Sequence, residues 1–170
     1  MLPPFRSRTL RAEEERRDSP FGVSALNSRT IPERVPFAAP LRAVDDISVT
    51  TTNAGLALTA WKHVDPDDPY LSGHFPGFTI FPGVFAIESL RQAAAFALGE
   101  RDGVLPDLVA VRSVRFLAPL LAGDTMTLEA VVSRVDEAAS FAVEAACRRS
   151  DGTVSCRLSV EMRYGGPPGA

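Results

Sequence analysis

Lysine is nearly absent from this chain. Lys62 stands alone among 18 basic residues, the rest being arginine, and 21 acidic residues leave a formal charge of −3 over 170 residues. No basic run interleaved with aromatics occurs, which argues against a nucleic-acid binder. Cysteine is limited to Cys147 and Cys156 and histidine to His63 and His74, none at ligand spacing, so neither a disulfide framework nor a metal site is expected. Long apolar runs are also missing. The most apolar stretch, Val84 to Leu98, is broken by Glu88, Arg91 and Gln92 and falls short of the ~18 residues a membrane-spanning helix needs. The opening MLPPFRSRTLRAEEERR places charges where an export signal has its apolar centre, so a cytoplasmic protein without a membrane partner is expected. Dinucleotide and phosphate-loop motifs are lacking, and neither Ser72 nor Ser89 has the context of a nucleophile elbow.

What is present is ordinary for one soluble domain: 45% hydrophobic and 23% charged residues, enough to build a core. Residues 1–30 hold Pro3, Pro4, Pro20 and a charge cluster from Arg11 to Asp18, and read as a flexible extension. Residues 31–164 read as the domain and 165–170, GGPPGA, as a flexible tail. Within the domain, strand-like alternation dominates. It occurs from Leu56 to Trp61, and Val109 to Leu117 is apolar on both faces apart from Arg112, Ser113 and Arg115. Met126, Leu128, Ala130 and Val132 share one face of a further strand; Phe141, Val143, Ala145 and Cys147 share one face of the next; Val154, Cys156, Leu158, Val160 and Met162 share one face of the last. Asp151-Gly152 predicts a two-residue hairpin loop, which pairs Ser150 with Thr153 and puts Cys147 opposite Cys156 as free thiols. One helix is predicted, from about Gly83 to Leu98, stopped by Gly99; it is apolar nearly all round and therefore buried. The class is α+β.

The run GHFPGFTIFPGVFAIESLRQ, Gly73 to Gln92, concentrates the chemistry. A histidine suits abstraction of the weakly acidic proton beside a thioester carbonyl, because it titrates near neutrality. Hydroxide is a poor leaving group, and Glu88, flanked by Ile87 and Leu90, is expected to be held neutral by burial so that it can protonate it. Pro82-Gly83-Val84 supplies a helix start whose free amides face the positive end of the dipole, a place for the thioester oxygen. Gln92, one turn past Glu88, either orients the carboxyl or satisfies a backbone carbonyl. Arg91, three residues from Glu88, either pairs with it, lowering its pKa, or turns to a chain interface.

These residues carry a specific resemblance. The run is similar to the HFPGxPIxPGVLxxEAxAQ pattern of the bacterial beta-hydroxyacyl-acyl-carrier-protein dehydratases, with His74, Pro76, Gly77, Pro82, Gly83, Val84, Glu88 and Gln92 in register. IPERVPF (Ile31 to Phe37) and VRFLAPLLAGD (Val114 to Asp124) resemble further segments of that family, so the likeness covers about Ile31 to Tyr164. It implies a single hotdog domain, an antiparallel sheet wrapped around a central helix, with sites shared between two chains. It also implies dehydration of a (3R)-3-hydroxyacyl-acyl carrier protein to the trans-2-enoyl thioester, in fatty-acid or polyketide biosynthesis. On that basis His74 is the base, Glu88 the acid, and the Gly83 and Val84 amides the oxyanion donors. No cofactor is called for beyond the phosphopantetheine arm of the carrier, which would enter a tunnel lined by Phe75, Phe78, Phe81 and Phe85. Four phenylalanines are equally what a plain core contains.

The sequence departs from the pattern at Arg91, at Phe78-Thr79 and at Leu117-Ala118. The last replaces a basic pair and leaves Arg112 and Arg115 as candidates for contact with acyl carrier protein. A homodimer or higher oligomer is the expected assembly. A heterodimer with a related dehydratase chain, in which this chain is a half-site or non-catalytic subunit, stays open, as does a hotdog-fold acyl thioesterase.

Overall fold

The computed structural model describes residue 37 and residues 41–53, 55–135 and 140–165. The expectation for the extension at 1–30 lies outside the described residues, as does that for the tail at 165–170 beyond Gly165. Among the described residues six strands and one helix follow in the order β1 (Asp46–Thr52), β2 (Gly55–His63), α1 (Gly83–Leu98), β3 (Pro106–Phe116), β4 (Thr125–Arg134), β5 (Ser140–Arg148) and β6 (Val154–Tyr164). They form one sheet, ordered β1-β2-β4-β5-β6-β3, in which every neighbouring pair is antiparallel.

The alternation read from the sequence sets the inner face. Met126, Leu128, Ala130 and Val132 of β4 are buried alternately with half-exposed neighbours, and Val143 and Cys147 of β5 and Leu158, Val160 and Met162 of β6 continue the same layer. Helix α1 packs on that layer through Ala86, Ser89, Leu90, Gln92, Ala93, Ala94 and Ala95. Three consecutive alanines let the helix backbone approach the sheet closely while their Cβ atoms still leave water. The opposite side of the helix is uncovered among the described residues: Val84 is 64% exposed, and Ile87, Glu88 and Arg91 are only partly buried. The expectation of a helix buried all round therefore holds for one side only.

Strand β3 forms an edge. Its register with β6 slips between Leu108 and Ala110 and again between Val111 and Ser113, so Val109 and Arg112 are extra residues on the edge side. Bulges of this kind increase the twist of an edge and interrupt its ladder locally. Val109, Val111, Phe116 and Leu117 nevertheless remain exposed along it.

The hairpin between β5 and β6 corrects one expectation and keeps its consequence. The loop has three residues, Ser150 to Gly152, because Arg149 donates its N–H to the Thr153 carbonyl and Gly152 donates to Arg149, with Gly152 at φ +83°. That shifts the pairing to Arg148 with Val154, and a bulge at Ser155 then shifts it back, so Cys147 does face Cys156. Two one-residue irregularities cancel. Both thiols are free and buried. The Ser155 bulge has its own use: its carbonyl accepts from the Leu117 and Ala118 amides and its hydroxyl donates to the Ala118 carbonyl, which pins the turn after β3.

Candidate active site

His74 is presented by a loop of successive tight turns. The amides of Asp68, Leu71, His74 and Phe78 each donate to the carbonyl three residues back. Phe75 follows at φ +60°, a left-handed conformation for a residue with a bulky side chain, which costs of order 1–3 kcal/mol and persists only where its surroundings over-determine it. The consequence is a division of directions: His74 borders a cleft while the Phe75 ring stands edge-on to it and 59% exposed. Nδ1 of His74 lies 2.8 Å from the Ile80 carbonyl oxygen. A carbonyl only accepts, so Nδ1 carries a proton, and in the neutral ring Nε2 is the nitrogen that keeps a free lone pair.

The cleft, of about 450 Å³, is bordered by His74, Ile80, Phe81, Gly83, Ala86, the Phe116–Leu120 segment, Ser155 and Cys156. Its two loop walls are tied together, since Ile80 bridges Leu121 and the Phe81 amide donates to the Leu120 carbonyl. Helix α1 begins at this cleft with Pro82 as N-cap and no side chain bonding to its first amides. Gly83 leaves room here for an aromatic ring. A Cβ at this position would stand 2.4 Å from the Phe116 ring, which rests on the helix start. A base with a free lone pair thus shares a mostly apolar cleft with uncapped helix amides, an arrangement suited to removing a proton beside a carbonyl whose oxygen gains charge.

Glu88 does not border this cleft. It lies farther along the helix, where Arg91 holds it with two bonds, Nε to Oε2 at 2.8 Å and an Nη to Oε1 at 2.7 Å, and Gln92 adds a third to Oε1 at 2.7 Å. Burial, the largest single influence, favours the neutral acid. The Arg91 and Gln92 hydrogen bonds and the Arg91 charge together outweigh it and lower the pKa. The expected neutral acid is thus corrected to a carboxylate, and of the two alternatives for Arg91 it is the pairing that occurs. Gln92 fulfils both of its alternatives at once: Nε2 donates to Glu88 and to the Leu41 carbonyl, while Oε1 accepts from the buried Ala43 amide.

The other expected residues divide. Of the four phenylalanines Phe81 borders the cleft; Phe85 stacks on Tyr70 at 4.2 Å between centroids, and Phe75 and Phe78 are exposed. The Val84 side chain faces outward, so only its amide belongs to the helix start. Arg112 pairs with Glu161 and Arg115 is exposed, both on β3. His63 is a surface residue near Thr125. The sequence reading missed two contributors. Ser89 donates to both the Ala43 and Phe85 carbonyls and, with Gln92, fastens residues 41–43 to the helix; a serine in an alanine-rich helix was the available signal. Phe116 was quoted within a motif but not recognised as a wall of the site.

One helix lying on an antiparallel six-stranded sheet, with a histidine loop at the helix start, defines a hotdog-fold protein with an enzyme-like site. Residues 49–155 match the ApeI-like family, described as ApeI dehydratase. The chain is 31% identical over 143 residues to the 3-hydroxyacyl-[acyl-carrier-protein] dehydratase FabZ of Clostridium perfringens, covering 82% of this chain and 99% of that protein. It is 33% identical over 137 residues to FabZ of Nitrosomonas europaea, covering 77% and 87% respectively. Among solved structures, the dehydratase heterocomplex ApeI:P from Xenorhabdus doucetiae superposes with a TM-score of 0.51 at 18% identity over 63% of this chain and 87% of that one, a likeness of fold. The chain belongs to the ApeI-like dehydratase family.

Proposed function

We propose that this protein removes water from a 3-hydroxyacyl thioester borne on acyl carrier protein, giving the trans-2-enoyl thioester. The observation that carries the reading is the His74 Nε2 lone pair at a cleft that opens onto the uncapped start of α1. Nε2 takes the proton from C2, and the Gly83 and Val84 amides stabilise the charge gathering on the thioester oxygen. Glu88 addresses the 3-hydroxyl from a second chain. Its absence from the cleft of its own chain supports this, as do the uncovered helix side around Val84 and the exposed apolar edge of β3. Two copies joined along β3 would cover Val109 and Val111 and bring one chain's helix side to the other's cleft. A related dehydratase chain in place of the second copy is the alternative assembly, favoured by the same separation of His74 from Glu88.

The phosphopantetheine arm enters with the substrate, Phe81 lines its path, and Phe75 and Phe78 complete the tunnel once a second chain covers them. Arg112 and Arg115 meet the acidic carrier, and the setting is the cytoplasm. Incubating the purified protein with a 3-hydroxyacyl carrier and weighing the product tests the reaction. Loss of the mass of one water is expected. Release of free acid would replace this reading with hydrolysis, and an unchanged substrate would sink a self-sufficient enzyme.

A further inference from the structure

The carboxylate of Glu88 is occupied by donors. Arg91 takes one position on each oxygen, Gln92 takes a second on Oε1, and Arg91 itself is held from three sides. Asp107 at the start of β3 stands 3.7 Å from its Nη1, the Phe37 ring lies 4.9 Å from its guanidinium carbon, and its side chain is 23% exposed. Of the other charged groups near this helix side, Arg42 is turned away, its Nε and Nη2 bonding to the Val44 and Asp45 carbonyls. Arg91 is the charged group that acts on Glu88, and Asp107 acts on Arg91. Oε1 is filled, so a proton could take only the position left on Oε2, and there it would discharge the carboxylate that the paired Arg91 bonds and the Arg91 charge favour.

We propose that Arg91 is a positioning residue that keeps Glu88 an acceptor for the substrate's 3-hydroxyl, so that the proton departing with water is the one His74 has taken from C2. This rests on the dehydratase reading. His74 Nε2 takes the C2 proton, and the C–H electron pair moves toward the carbonyl at the helix start. That pair then returns to form the C2–C3 double bond as the C3–O bond breaks. The departing hydroxyl collects the proton from His74 Nε2, leaving water, a neutral histidine and an unchanged Glu88 carboxylate. The position left open on Glu88 Oε2 holds the hydroxyl hydrogen and so sets which way the oxygen lone pairs face.

The test uses the full-length protein, with kcat and KM measured across pH 6 to about 9 for the wild type, Arg91→Met, Arg91→Lys and Glu88→Gln. A carboxylate acceptor and a carboxylic acid donor respond to loss of Arg91 in opposite directions. With Arg91 gone, burial raises the Glu88 pKa. Under the proposal Arg91→Met lowers kcat near neutrality by about tenfold or more, moves the acid limb to higher pH, and is partly rescued by Arg91→Lys. Were Glu88 the acid, the same change would preserve or raise kcat near neutrality, and that result overturns the proposal. Glu88→Gln gives a second readout that does not depend on Arg91 variants folding. Its single amide oxygen must serve the Arg91, Gln92 and hydroxyl donors together, so kcat falls, but the alkaline limb of the pH profile is expected to stay in place; disappearance of that limb, the mark of a lost acid, overturns the proposal. A wild-type chain that dehydrates nothing defeats the dehydratase reading instead, which keeps the two failures apart.

Discussion

Replacing Gln92 by leucine should separate the scaffold of the site from its chemistry. The side chain is 3% exposed and joins three elements: the Ala43 amide, the Leu41 carbonyl and Glu88. Leucine is of similar volume, so little cavity is made and the cost comes from lost hydrogen bonds. The Leu41 carbonyl belongs to a residue 63% exposed and can turn to water, whereas Ala43 is 2% exposed and its amide would be orphaned. An unsatisfied buried donor costs about 1–3 kcal/mol, which puts the expected loss near 2 kcal/mol. For a domain of this size that corresponds to a fall in Tm of roughly 6–10 °C. Gln92→Glu provides the control, since it retains an acceptor for the Ala43 amide but sets a second carboxylate against Glu88, making its own deficit larger at pH 7 than at pH 4. Urea or thermal unfolding at fixed protein concentration measures both, the concentration being held because any self-association would add to apparent stability. A Gln92→Leu protein within about 0.5 kcal/mol of the wild type would refute the reasoning, because a buried donor without a partner cannot be that cheap.

Acid should weaken the fold through Glu88. Its folded pKa lies below the unfolded value, so its contribution is present above the unfolded pKa and is lost as pH falls through the folded one; Glu88→Gln should flatten that part of the stability profile, and a profile unaltered below pH ~4.5 would contradict it. Cys147 and Cys156, both at most 1% exposed, with the Cys147 thiol pushed up by its hydrogen bond to Cys156 and by burial, should resist a thiol reagent in the native protein and react in denaturant; rapid native labelling would refute their packing. Gly83→Ala should displace the Phe116 ring from the helix start and reduce kcat/KM more than stability, because that ring is largely exposed and can move; unchanged kinetics would show that the contact does not shape the cleft. His74→Ala should lower turnover by about two or more orders of magnitude with little change in Tm, and mixing it with Glu88→Ala under subunit exchange should restore activity if the site is shared.

Much of this molecule was legible before any coordinates. Alternation of period two along β4, β5 and β6 identified which residues face the core, because a strand with one wet side has little choice once its apolar positions are set. The helix limits followed from proline before Gly83 and glycine after Leu98, residues whose backbone preferences act locally. The loop that presents His74 was legible for the same reason: the glycine- and proline-rich run around it encodes a loop and a helix start within a few residues. What required the tertiary structure were balances between distant or competing groups. Glu88 stands in an apolar helix, and its charge depends on whether burial or Arg91 and Gln92 prevails, a question of angstroms and not of spacing. The three-residue loop at Ser150–Gly152 and the bulge at Ser155 were invisible because each cancels the other's effect on which side chains face inward. Strand β1 went unread, its polar DISVTTT being defined by pairing to β2 more than by its own pattern. The separation of Glu88 from the His74 cleft was also beyond the sequence. Fourteen positions apart on a loop and a helix, their side chains take directions set by how α1 lies on the sheet, and only that packing determines that one faces the cleft and the other the uncovered side.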